Sequence, residues 1–165
     1  MKDKEKYFEK VYATHGKSIF RFCLLRLHDA TLAEDITEET FVRIWKLISE
    51  EKPIENEKSF VYLIARGLIV DYYRSAKNKK DISIEEHNFD FSYDESIVDK
   101  IDLQQQIEEV YTKLKKIKKE YQEVILLHYV EDLKISEIAK VLEKTENSTR
   151  VLLHRALAAV KKYYE

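Results

Sequence analysis

Apolar positions in this chain recur every three or four residues and almost nowhere every second one, which predicts helices and no sheet. The clearest stretch is Leu133 to Leu142, where Ile135, Ile138, Ala139 and Leu142 fall on one helical stripe. Three residues later, Glu146 to Tyr163 places Leu153, Ala156, Leu157 and Val160 on one side. Its other side presents Asn147, Arg150, His154 and Lys161 as a row of hydrogen-bond donors at spacings of three, four and seven. A helix that enters a DNA major groove needs such a row. Ala139 is small where two helices would cross closely, and Glu143 occupies the turn where Gly is common. Taken alone, this segment fits two descriptions equally well: a DNA-reading helix-turn-helix, or a helical hairpin with a solvated charged face.

The same period organises the first half. Phe8, Val11, Tyr12, Ile19, Phe22 and Leu25 or Leu27 mark a helix over Glu5 to Leu27, with a break expected near Gly16. Asp29 is a suitable N-cap for a second helix running to Ser49, whose core side is Leu32, Ile36, Phe41, Ile44, Trp45 and Ile48. Its first turns carry Glu34, Asp35, Glu38 and Glu39, which suit the positive end of a helix dipole. Pro53 lies in a polar loop, and a third helix follows over Glu57 to Lys77 with Phe60, Leu63, Ile64, Leu68 and Ile69 as its apolar set. From Asn78 to Lys100 the period is lost among acidic and polar residues, which predicts a linker that also holds Ile82, Ile84, Phe89, Phe91 and Tyr93. Helices over Leu103 to Leu114 and Lys118 to Val130 complete a second unit. The expected fold is therefore all-α, with helical domains at 1–78 and 103–165 joined by a linker at 79–102.

Charge sharpens this division. The whole chain carries a formal charge of -2, which by itself argues against a nucleic-acid partner. Residues 1–78 hold 14 basic and 13 acidic side chains, 79–103 hold 3 and 8, and 104–165 hold 12 and 10. The acidity is thus concentrated in the linker. Tyr62 to Lys80 has five basic residues against Asp71 alone, and Lys144 to Glu165 has a balance of +3. Two basic helices flank an acidic strip.

Catalytic chemistry finds little footing. None of the five histidines follows a Glu at the spacing of carboxylate-bridged bundles, and no Cys-x-x-Cys, His-Glu-x-x-His or glycine-rich phosphate loop is present. No metal, cofactor or small-molecule substrate is expected. The single cysteine, Cys23, sits in an apolar run and reads as a small buried hydrophobe. With no secretory leader pattern and no apolar run long enough to span a bilayer, a cytoplasmic protein without membrane insertion is expected. The acidic group at 34–39 reads either as a solvated helix start or as a docking face for a basic partner helix. Tyr62 near Arg66, and Tyr72 and Tyr73 beside Arg74, interleave aromatics with cations as unstacked bases require, although each tyrosine alone is more simply a core residue with its hydroxyl at the surface.

Three stretches together resemble a known family. Residues 33–45, AEDITEETFVRIW, closely resemble the acidic polymerase-docking helix of bacterial sigma factors, and residues 60–74, FVYLIARGLIVDYYR, look like the promoter-melting helix that follows it. The unit containing Glu137-Ile138-Ala139 and Arg155-Ala156 looks like the domain that reads the -35 element. The order, spacing and acidic linker are similar to the extracytoplasmic-function (ECF) group of the sigma-70 family. The resemblance implies core RNA polymerase and promoter DNA as partners, with an anti-sigma factor as a further one. It places polymerase docking on Glu34, Asp35, Thr37 and Glu38. It places -10 contacts on Tyr62, Arg66, Gly67, Val70, Arg74 and Lys77, and -35 contacts on Asn147, Arg150, Val151, His154 and Arg155.

The chain departs from the family pattern at five places. Tyr62 replaces a usual Trp, Gly67 a frequent Asn, Lys134 a frequent Ser or Thr cap, residues 116–119 a common Leu-Pro turn, and Leu152 a frequent Arg. The resulting expectation is a non-catalytic transcription initiation factor that directs polymerase to promoters. Two other readings remain at this stage: a stand-alone helix-turn-helix regulator, and a helical protein-interaction adaptor. The first would leave the acidic second helix and the basic, aromatic third helix without a role.

Overall fold

The computed structural model describes residues 2–78 and 97–164, and all the regular structure among them is helical. Helices α1 (Lys2–Leu27), α2 (Ala30–Ser49) and α3 (Glu57–Asn78) form the first unit. The second unit holds α4 (Ile97–Leu114), α5 (Lys119–Ile125), α6 (Ile135–Leu142) and α7 (Glu146–Tyr164). Between α5 and α6 the chain winds through a wider π-type turn over Leu126–Val130. Of the expected linker, 79–96 lies outside the described residues. Its last part is helical, because α4 begins at Ile97 and not at 103.

The ends of these helices follow from their sequences. Asp29 adopts extended backbone and its carboxylate accepts the Leu32 amide at 3.0 Å, capping α2 as expected. No acidic residue falls within the first turn itself, so Glu34 and Asp35 lie beyond the reach of the dipole at that end. Asn56 accepts the Ser59 amide at 3.2 Å and starts α3. Gly16 does not break α1: it is buried mid-helix, and an added Cβ would meet only the Tyr12 ring at ordinary contact distance.

The helix-turn-helix is sharply built but locally imperfect. Lys134 precedes α6 and offers no acceptor, so only Glu137 contributes to the cap, accepting the Lys134 amide at 3.0 Å. Glu143 closes α6 in the left-handed region, with φ 54° and ψ 46°. A side chain there carries strain of roughly 1–2 kcal/mol. Glu143→Gly should therefore raise thermal stability, by about 1 kcal/mol at most once the extra freedom of the unfolded glycine is set against it. A melting temperature at or below that of the wild type would mean that the turn is relaxed as it stands.

Each unit buries its own apolar stripe. Phe22, Leu24, Ile44 and Ile69 are fully buried in the first, and Leu126, Leu127, Leu133 and Ile138 in the second. Cys23 is fully buried as well, and burial pushes its thiol up to about 12. A raised pKa in the folded state means that stability from the neutral thiol is intact below its unfolded value near 9.0 and is lost as pH rises toward about 12. The native thiol should also resist alkylation at pH 8. The shift leaves it roughly 10³-fold less thiolate than in the unfolded chain, so iodoacetamide labelling in and out of urea measures the difference. Equal rates would place Cys23 outside the core.

The two units are packed together. Tyr73 of α3 donates to the Arg26 carbonyl at 2.8 Å, and Lys119 of α5 lies 3.9 Å from the centre of the Tyr73 ring. His28, after α1, stacks on Tyr111 of α4 at 3.7 Å and pairs with Glu108 at 3.2 Å. α3 also packs against α6.

Candidate nucleic-acid interface

The last helix carries the most complete surface. Thr149, Leu152, Leu153 and Ala156 are its buried side. Leu157, expected in the core, is 39% exposed instead, and the buried stripe turns toward Leu152. Leu152 accordingly packs inward, 8% exposed, and has no access to a groove. The opposite side presents Asn147, Arg150, Val151, His154 and Arg155, all exposed. Arg150 pairs with Glu146 at 3.4 Å, an exposed ion pair one turn away that DNA can displace at little cost. Thr145 fixes the start of α7, its hydroxyl accepting the Ser148 amide at 3.1 Å.

The third helix divides the six residues that sequence reasoning grouped together. Gly67, Val70, Arg74 and Lys77 lie three, four and three apart, along one exposed or half-exposed stripe. Tyr62 and Arg66 lie on another side, facing the second unit. Tyr62 is 1% exposed, stacks edge-on against Phe22 at 5.5 Å, and donates its hydroxyl to Glu131 at 2.6 Å. Burial, and then the charge of Glu131, push that hydroxyl far above the tyrosine range, so it stays a neutral donor. Arg66 donates to Glu123 at 2.9 Å. In this arrangement Tyr62 is a core residue, covered by the second unit. Beside the exposed stripe, α2 and α3 enclose an open groove of about 840 Å³ lined by Val42, Arg43, Lys46, Leu63, Gly67 and Asp71. Nothing lies within 4 Å of a Cβ added at Gly67, so the glycine leaves this wall open.

On the second helix Asp35 and Glu38 are exposed and Glu34 is half-buried. Thr37 is not part of that face. It is 5% exposed, and its hydroxyl donates to the Ala33 carbonyl at 2.7 Å, so it packs against the first unit's core. Tyr12, Phe8, Phe41 and Trp45 form an aromatic group between α1 and α2, with Phe8 and Trp45 at 5.4 Å. Sequence reading placed the members of this group on separate helices and missed that they meet. His128 is half-buried and its Nδ1 lies 3.0 Å from the Leu133 carbonyl, bracing the turn before α6. Among the described residues no helix is long and apolar enough to cross a membrane.

Two helical units, the second ending in an exposed donor stripe on a helix-turn-helix, define a DNA-binding protein of the kind that reads duplex through one helix. Residues 11–79 match the family model for sigma-70 region 2, and residues 107–160 match that for sigma-70 region 4. The chain belongs to the sigma-70 family, in its ECF group, and is a transcription initiation factor. It is similar to the ECF RNA polymerase sigma factor SigM of Bacillus subtilis (strain 168), with 26% identity over 94% of this chain and 94% of that protein. It is similar also to SigX of the same organism, with 23% identity over 98% of this chain and 85% of the relative. Two solved structures share the fold. One is the sigma factor RpoE in complex with the anti-sigma factor NepR from Bartonella quintana, with TM-score 0.74, 16% identity and coverage of 95% and 96% of the two chains. The other is CnrH in complex with the cytosolic domain of CnrY, with TM-score 0.68, 18% identity and coverage of 97% and 88%.

Proposed function

We propose that this sigma factor works in the cytoplasm, docks on core RNA polymerase through Glu34, Asp35 and Glu38, and catalyses nothing itself. Residues 1–78 would serve docking and -10 opening, and 103–165 would serve -35 reading, with 79–102 joining them. Gly67, Val70, Arg74 and Lys77 would meet the opened -10 strand, joined by Tyr62 and Arg66 once the second unit has moved away. Asn147, Arg150, Val151, His154 and Arg155 would read the -35 element. An anti-sigma factor is a further partner on this reading, since one structural relative is a sigma factor in complex with an anti-sigma factor.

The observation that carries the reading is the α7 stripe, where every side chain assigned to DNA is exposed while the opposite side is locked into the core. Arg150 can bond bidentately to guanine, a contact worth about 1–3 kcal/mol against the wrong base. Arg155, on phosphate, would position the helix and carry no sequence information. Selection of -35 variants by holoenzyme carrying Arg150→Ala should relax one base position. Arg155→Ala should weaken all sequences alike. The same relaxed position in both variants, or in neither, would contradict this division of labour.

A further inference from the structure

Two glutamates of the second unit, neither part of the DNA or polymerase surfaces, are buried against the first. Glu131 follows the π-type turn and is 4% exposed. Its Oε1 accepts from Arg21 Nε at 2.9 Å and its Oε2 from Arg21 Nη2 at 2.7 Å, a two-pronged pair, while Tyr62 donates to Oε2 at 2.6 Å. Glu123 is 3% exposed and lies between Arg66, which donates to Oε1 at 2.9 Å, and Arg26, whose Nη2 is 3.3 Å from Oε2. The turn itself aims Glu131: the Glu131 amide bonds to the Leu126 carbonyl and the Leu133 amide to that of Leu127, which widens the helix just before the carboxylate.

Burying two carboxylates between domains is unfavourable unless each is matched, and these are matched from the first unit by three arginines and a tyrosine. The match is uneven. Glu131 accepts three hydrogen bonds, whereas Glu123 Oε2 and Arg26 Nε are buried with no hydrogen-bond partner. Glu123 Oε2 meets Arg26 Nη2 only as an ion pair at 3.3 Å, so this carboxylate is the less fully bonded of the two. The carboxylates also occupy the very groups, Arg66 and the Tyr62 hydroxyl, that would otherwise face a phosphate-bearing strand.

We infer that Glu123 and Glu131 form an internal latch: in the free chain they hold the helix-turn-helix unit closed over Tyr62 and Arg66, and the latch must open before α3 can present those two side chains to single-stranded DNA. Closure is independent of the -10 assignment of α3, but its inhibitory consequence rests on that assignment.

The test uses the full chain carrying Ala13→Cys and Ala158→Cys, both exposed positions, labelled as a fluorescence-transfer pair while Cys23 stays buried. Glu123→Gln with Glu131→Gln should lower transfer efficiency with the helical circular dichroism unchanged. It should also tighten binding of a fluorescent single-stranded oligonucleotide by roughly tenfold or more, because apparent affinity scales with the open fraction. Glu131→Arg should open the chain in the same way, and adding Arg21→Glu should close it again, which a mere folding defect would not do. Unchanged transfer in both opened variants would overturn the latch. Lower transfer with unchanged oligonucleotide binding would overturn its masking role. The α3 assignment fails separately, if holoenzyme with Arg74→Ala and Lys77→Ala still opens promoters at the wild-type rate.

Discussion

Asp35→Lys combined with Glu38→Lys should all but abolish binding to core RNA polymerase while the helical fold is kept. Both side chains are exposed on α2, and the residues that hold this helix in place, Ala33, Ile36, Thr37, Thr40, Phe41 and Ile44, face the other way. Reversing two exposed charges leaves that packing untouched. At a docking surface the same change sets like charges together, at a cost of roughly several kcal/mol, or several orders of magnitude in affinity. Surface plasmon resonance with core polymerase reads the loss, and circular dichroism confirms the fold. Unchanged affinity would remove the acidic face of α2 from the docking surface and shift attention to the aromatic group of Phe8, Tyr12, Phe41 and Trp45.

Ile138→Ala should silence -35 reading without touching a DNA contact. Ile138 is fully buried in α6, the helix on which α7 rests. Removing its branched chain leaves a cavity, and the loss is about 2–5 kcal/mol for substitutions of this kind. A small helical unit has a total stability of that same order, so much of the population should lose the fixed crossing of α6 and α7. The expected results are a lower melting temperature and a proportionate loss of promoter-specific transcription. Arg150→Ala is the counterpart, since it should lower specificity and leave melting unchanged. A normal melting profile for Ile138→Ala would mean that α7, the recognition helix, is held by its packing on α5.

Much of the fold was legible because helices announce themselves locally. The 3.6-residue period, Asp29 as a cap and the donor row on α7 are all set by neighbours within a few positions, where sequence and geometry are tied by covalent reach. The charge separation had the same local origin. A glycine weakens a helix without ending it, and at Gly16 the buried faces on either side carry α1 straight through. The start of α4 at Ile97 is not legible from the period, because its first turns share the acidic composition of the stretch before them.

Sequence alone determined that the protein is all-α, where most of the helices fall, and which residues of α7 form a donor stripe, since each follows from periodicity along one strand of chain. Only the tertiary structure decided that Thr37 and Leu152 face inward, that Tyr62 and Arg66 part company with Gly67, Val70, Arg74 and Lys77, and that Glu123 and Glu131 reach across to Arg66, Arg26, Arg21 and Tyr62. Those pairings join residues 57 to 110 positions apart. Nothing in local spacing can specify them, because a buried charge selects its partner by where two folded surfaces meet.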